Sequence, residues 1–357
     1  MIKKMIQKQF IFKCDIHFHG RFILIVAVSL WFAIGNVGSS VQAAKVAGYT
    51  QAQAQQIKQW QHRYNQLSQR AYSDHDIYQQ RPRFSPKLKA GQLRASYQRE
   101  LLDYVNFYRA LVGLPSIRYG LNANNQAQLA AADMAAADGF SHGLIKQRRP
   151  KLVTKNQWAV GQQVTETSNI GQMVMSERID QTMGNYLRDN FNVEGNNTGH
   201  RAWLLSPVVH TIGIGIAHRP KSTFGYSNIY FADQSQRAIT PNRNQVINYP
   251  SAGVFPRAML VSQQHDHPIY WSSNFTLDAA TSGRVRVEIR DDTTHQRQWA
   301  HNVHVNRSQH YGQFAMIVTY RPPFMVINGH QYTVSITGLT HHPHGYRYRF
   351  SPFNLNN

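Results

Sequence analysis

Sixteen histidines follow residue 43, whereas the chain has one cysteine, Cys14, so proton-transfer or metal chemistry here falls to imidazoles and carboxylates. Two of the histidines stand where helices end or begin. His142 lies in DGFSHG, just past an Ala-rich stretch, and His200 opens GHRAWLLSP. A neutral imidazole beside carboxylates can hold a divalent cation or move a proton near neutral pH. Taken alone, each reads more simply as a cap or a packing residue. Ser141 beside His142 suggests a nucleophile, but no G-x-S-x-G elbow and no neighbouring Asp orients the pair, which argues against a serine hydrolase. The run His341-His342-Pro343-His344 is also metal-like in composition. In extended chain His341 and His342 point to opposite faces, so only His342 and His344 could share an ion. Ten of the eighteen histidines lie beyond residue 239, and chance clustering is the simpler account of this run.

The elements that would carry His142 and His200 are mostly helical. YQRELLDYVNFYRALVG places Leu101, Leu102, Val105, Tyr108 and Val112 on one stripe, with Gly113 at its end. NANNQAQLAAADMAAADG predicts a second helix, stopped by Gly139, and so rich in Ala that something must pack closely on it. MSERIDQTMGNYLRDNF predicts a third, and GHRAWLLSP a fourth, ended by Pro207. TIGIGIAH and NIYFAD read as strands. Helices first and strands late argue an α+β layer structure over residues 96–238. Beyond it, VRVEIR, FAMIVTY and YTVSIT alternate with period two, which predicts an antiparallel β-sandwich over residues 239–357. Residues 44–95 read as a Gln/Arg-rich spacer. It holds one amphipathic helix, on Ile57, Trp60, Tyr64 and Leu67, and is broken by RPRFSPKLKAG.

Charge and the first segment speak to location. Residues 1–21 carry Lys3, Lys4, Lys8, Lys13 and Arg21 against Asp15, and FILIVAVSLWFAI follows from Phe22 to Ile34. Small residues then lead to Val41-Gln42-Ala43. This is the pattern of a secretory signal over residues 1–43, and thirteen apolar positions are short for a bilayer span of about 20 residues. Cys14 precedes the apolar run, so the exported chain would hold no cysteine. That suits a Gram-positive bacterial surface better than an oxidising eukaryotic pathway. Losing five bases and one acid with residues 1–43 lowers the formal charge from +20 to +16. A basic exported protein is held near anionic wall polymers or lipids. The basic residues are scattered and no nucleic-acid motif is present, which places nucleic acid behind those partners.

Four pieces in order resemble the CAP superfamily (cysteine-rich secretory proteins, antigen 5, pathogenesis-related 1), in its bacterial form. They are YVNFYRALVGLPSI with Asn106 and Arg109, DGFSHG with His142, ETSNIG, and GHRAWLLSPVVHTIGIGIA with His200. The resemblance implies a three-layer α-β-α sandwich and a cleft in which His142 and His200 meet two acids. Aligning on Asn169-Ile170 puts Ser168 where the family has Glu. Glu166, two residues back, would point to the same face of an extended chain. The second acid maps to Asp189, with Glu194 as its rival. Asn106 and Arg109 would tie the first helix to its neighbours.

The resulting expectation is a secreted binding module for a lipid, peptide or wall component, extracellular or held at the cell wall. The competing expectation is a metal-assisted hydrolase or protease using the same cleft. No cofactor is certain; Zn2+ or another divalent cation on His142 and His200 is the candidate. Zinc-activated water needs three firm ligands and an open position, of which the sequence secures two.

Overall fold

Threonine 50 caps the first helix with a capping box. Its hydroxyl accepts from the Gln53 N–H at 3.2 Å while the Gln53 side chain accepts from the Thr50 N–H at 2.9 Å. Helix α1 (Gln51–Asn65) follows, then α2 (Asp74–Ile77) and two small ribbons, β1 (Tyr78–Gln80) with β4 (Gln92–Leu93) and β2 (Arg83–Phe84) with β3 (Leu88–Lys89). The computed structural model describes residues 48–190, 198–232, 245–262, 268–277, 284–308, 311–339, 342 and 344–356. The signal-like segment, Glu194, His341 and Pro343 lie outside the described residues. Residues 48–95 do more than span a distance. Trp60 meets Phe107 edge-on at 5.9 Å and Tyr64 meets Tyr104 at 6.5 Å, while Gln61 donates to the Asn354 carbonyl. Tyr64, Tyr72, Ile77 and Tyr78 are buried. Rings of that size on a short segment are covered only by docking on the rest of the fold.

The middle of the chain builds one sheet with helices on both faces. Helix α3 (Ala95–Leu111), β5 (Arg118–Tyr119), α4 (Leu121–Ala137) and a 3-10 turn at His142–Leu144 come first. Then come α5 (Lys155–Glu166), β6 (Ser168–Val174), α6 (Ile179–Arg188), α7 (Gly199–Leu204), β7 (Thr211–Ala217) and β8 (Phe224–Phe231). The strand order is β5-β7-β8-β6, with β5–β7 parallel and the other pairs antiparallel. Strand β7 alternates Ile and Gly, and the alternation sorts the layers. Ile212, Ile214 and Ile216 join one apolar cluster with Leu101, Met183, Leu187 and Leu204 from α3, α6 and α7. Ala217, with Ala131, Ala135, Trp158 and Ile170, belongs to a second cluster under α4 and α5.

Glycine is required where β7 meets α4. A Cβ on Gly213 would sit 2.0 Å from the Ala123 carbonyl oxygen, and one on Gly215 2.2 Å from that of Ala127. That contact is why α4 is so rich in Ala. The edge of β7 beyond β5 is capped by side chains of α4: Asn124 Oδ1 accepts from the Ile214 N–H, and Gln128 pairs with both the N–H and the carbonyl of Ile216. The helix ends at Asp138 in the left-handed conformation (φ 53°), one residue before the expected Gly139; a short acid tolerates that region locally.

The C-terminal part forms two further sheets. Its strands are β9 (Val246–Tyr249), β10 (Gly253–Pro256), β11 (Trp271–Phe275), β12 (Arg286–Asp291), β13 (Arg297–Trp299), β14 (His301–Asn306), β15 (Met316–Arg321), β16 (Tyr332–Thr337) and β17 (Tyr346–Phe353). Five pair in the order β10-β17-β16-β12-β13 and four in the order β14-β15-β11-β9. All these pairings are antiparallel except β10 with β17, a parallel edge that the alternation pattern does not predict. The two sheets meet through Trp271–Phe350 edge contacts at 5.2 Å and a Tyr320–Tyr348 hydroxyl pair at 3.0 Å.

Candidate functional site

His142 is placed by the turn that follows α4. Its Nδ1 lies 2.8 Å from the Thr165 carbonyl oxygen in the last turn of α5. A carbonyl only accepts, so Nδ1 carries the proton, and the lone pair of the neutral ring is at Nε2. The next residue, Gly143, has φ +62°, and a Cβ there would sit 2.6 Å from Glu166 Oε2. The glycine therefore admits both the turn and the approach of that carboxylate. Glu166 is exposed at the C-terminal end of α5.

His200 is placed by α6 and α7. Its Nδ1 lies 3.1 Å from Asp189 Oδ1, and the Asp189 side chain is fully buried. Asp189 is the left-handed cap of α6 (φ 53°), and its Oδ2 accepts the Arg201 N–H at 3.2 Å. The carboxylate again leaves the proton on Nδ1 and the lone pair on Nε2. The Tyr186 ring meets the imidazole edge-on at 5.2 Å, and the His200 side chain is 24% exposed. Asn169 Nδ2 donates to the His200 carbonyl at 2.9 Å.

The junction of α5 and β6 thus holds the His142 ring through the Thr165 carbonyl and the His200 backbone through Asn169. The structure brings Glu166 against Gly143, the neighbour of His142, and Asp189 against His200. Ser168, where the resemblance implies an acid, is buried and donates to the Val164 carbonyl at 2.6 Å. It closes the end of α5. Asn106 exchanges two hydrogen bonds with the Ile117 backbone. Arg109, fully buried, donates to the carbonyls of Pro115, Leu204, Ser206 and Val209, and burial pulls its pKa down to about 10. It stays charged at neutral pH and fastens α3 to the segment after α7.

Sequence reasoning missed Arg201, Asn169, Thr165 and Tyr186. Arg201 is the most consequential. Its guanidinium is wholly buried, with bonds to the Leu187 and Arg188 carbonyls at 2.7 and 2.6 Å and to the Tyr270 carbonyl at 2.9 Å, and it lies 4.0 Å from the Tyr249 ring centre. Burial lowers its pKa, with the Asp189 charge opposing that shift. A charged residue inside the apolar run GHRAWLL was the available signal. Asp133 was also missed. Burial between α4 and α5 pushes its carboxyl up to about 8, against a Gln157 hydrogen bond at 3.0 Å.

Asp189 is committed to His200 Nδ1 and the Arg201 N–H, and its role is to orient the ring. Among the described residues no three His, Cys, Asp or Glu side chains come together closely enough to hold an ion. What these residues offer chemically is two imidazole Nε2 acceptors and the exposed Glu166 carboxylate.

Residues 102–232 match the family model CAP, the cysteine-rich secretory protein family. No curated protein matches the chain. Among solved structures the chain is similar to an extracellular protein containing an SCP domain from Bacillus anthracis str. Ames. Identity is 19% and the TM-score 0.27, with 39% of this chain and 41% of that one covered. The chain therefore spans less than half the length of that neighbour.

Proposed function

We propose that this chain, whose residues 102–232 are a CAP domain, is an exported binding protein that receives a peptide or cell-wall component in the cleft at the α5–β6 junction. The observation that supports this reading is that both imidazoles are held through Nδ1, leaving Nε2 of His142 and of His200 to accept from a ligand. Glu166 adds a third acceptor. Hydroxyl, amide and ammonium groups are the complement of that set, so polar wall fragments suit it better than a lipid tail. Export rests on the signal-like residues 1–43, and retention at an anionic surface rests on the excess of Lys and Arg.

A metal-assisted hydrolase is the competing reading, and the commitment of Asp189 to His200 and Arg201 sets it second. Calorimetric titration with muramyl dipeptide tests the proposal. Binding is expected to weaken about tenfold in each of His142→Ala and His200→Ala, the loss of one hydrogen bond to a desolvated group. Equal affinity in the wild type and both variants would overturn it.

A further inference from the structure

The strongest unassigned feature lies far from the cleft in sequence, on the outer face of the five-stranded sheet. Strand β12 and the residues before it alternate, with Val285, Val287 and Ile289 buried and Arg284, Arg286 and Arg290 exposed. Register places Arg290 level with Thr333 of β16 and Arg349 of β17, and Glu288 level with Ser335 and Arg347. The same face therefore carries two rows of guanidinium groups, on β12 and on β17. Between them runs β16, which contributes only hydroxyls: Thr333, Ser335 and Thr337. Two strand spacings separate the rows by about 9.5 Å, and alternate residues along a row are about 6.8 Å apart. The result is a shallow trough with cationic walls and a hydroxyl floor.

Two acids sit among these arginines. Asp292 lies 3.2 Å from Arg290 and 3.7 Å from Arg349, closing one end, and Glu288 lies 3.6 Å from Arg297. Arg284 and Arg286 have no acidic partner among the described residues. The floor holds the β17 wall in place, with Arg347 Nε donating to Ser335 Oγ and Arg349 Nε to Thr333 Oγ1, both at 3.2 Å. At the β12–β13 side of this sheet a groove of about 460 Å3 is lined by Arg284, Arg286, Trp299 and Asn302 and by apolar side chains, Val285 and Val287 among them. Trp299 is 54% exposed. An exposed indole beside unpaired guanidinium groups offers a flat apolar face next to fixed positive charge.

We propose that this face binds a linear anionic glycan, with the arginine rows taking its acidic groups and Trp299 stacking on a sugar ring. The repeated cation spacing calls for a repeated anion, and the lone indole calls for a ring in the repeat. The site is separate from the CAP cleft and does not depend on the reading given for it.

The test uses the purified protein and polygalacturonate, with neutral dextran and a twenty-nucleotide oligo-dT as further probes. Polygalacturonate should bind with an affinity that falls as salt rises, and dextran should not bind. The triple variant R286Q/R347Q/R349Q should lose about tenfold in affinity, and Trp299→Ala several-fold, with unchanged thermal unfolding. The variant K87Q/K89Q/K155Q removes the same charge from exposed positions elsewhere and should bind as the wild type does. Equal losses in the two triple variants would reduce the effect to bulk charge and overturn the site. So would the absence of polygalacturonate binding, or tighter binding of oligo-dT than of the glycan.

Discussion

Asp133 shows how a single buried acid leaves a signature in solution. It lies on α4 against Gly161 of α5, where a Cβ would come within 2.2 Å of its Oδ2. One oxygen accepts from Gln157; the other has no partner among the described residues. Burial raises the folded pKa to about 8, above the ordinary 3.8, so the folded chain keeps a proton that the unfolded chain releases. Between those values the unfolded state binds fewer protons, and this group's contribution to stability falls as pH rises, by about 1.4 kcal/mol per pH unit. Asp133→Asn keeps the shape without the charge. Thermal unfolding of wild type and variant should therefore diverge from pH 5 to pH 8, with the wild type losing ground. Parallel curves across that range would contradict the assignment.

At the scale of elements, the closest contact is between α4 and β7. Gly215→Ala forces a methyl into the Ala127 carbonyl, and backbone on both sides must move. The expected cost is about 1–3 kcal/mol or more, read as a lower urea midpoint, while Gly113→Ala, with nothing near its Cβ but a positive φ, should cost less. Much of this layer was legible in sequence, because apolar stripes at helical spacing marked α3 and the Ile-Gly alternation marked β7. Helix α5 was not legible: of its twelve residues only Trp158, Gly161, Val164 and Thr165 are buried, too sparse a stripe to stand out. That omission hid the site's anchor. Positions 142 and 200 could be named as histidines, but Thr165, which fixes the first ring, and Asn169, which fixes the backbone of the second, meet them only in space. The packing of residues 48–95 was hidden for the same reason, since its aromatic side chains find partners in α3 and β17.

Across the whole molecule, Arg201 joins the two architectures. Its guanidinium holds the C-terminal end of α6 on one side and the carbonyl of Tyr270, beside β11, on the other. Its own N–H holds Asp189, which holds His200. Arg201→Met fills the space but leaves several buried carbonyls and the Asp189 charge without their cation. Loss of one member of such a buried set costs about 3–5 kcal/mol, so calorimetry should show a large fall in Tm for the whole chain. A wild-type Tm would mean the bridge carries little. The β-sheets thus bear on Asp189 and His200 through Arg201, and the proposed cleft rests on how two distant rings are held.

That holding is open to direct observation. In a long-range 1H–15N spectrum of 15N-histidine-labelled protein at pH 8, His142→Gln and His200→Gln assign the two rings. Both are predicted to carry the proton on Nδ1 with Nε2 unprotonated, and both Nε2 signals to shift together when muramyl dipeptide is added. Either ring protonated at Nε2, or one ring responding while the other stays fixed, would contradict a shared binding cleft.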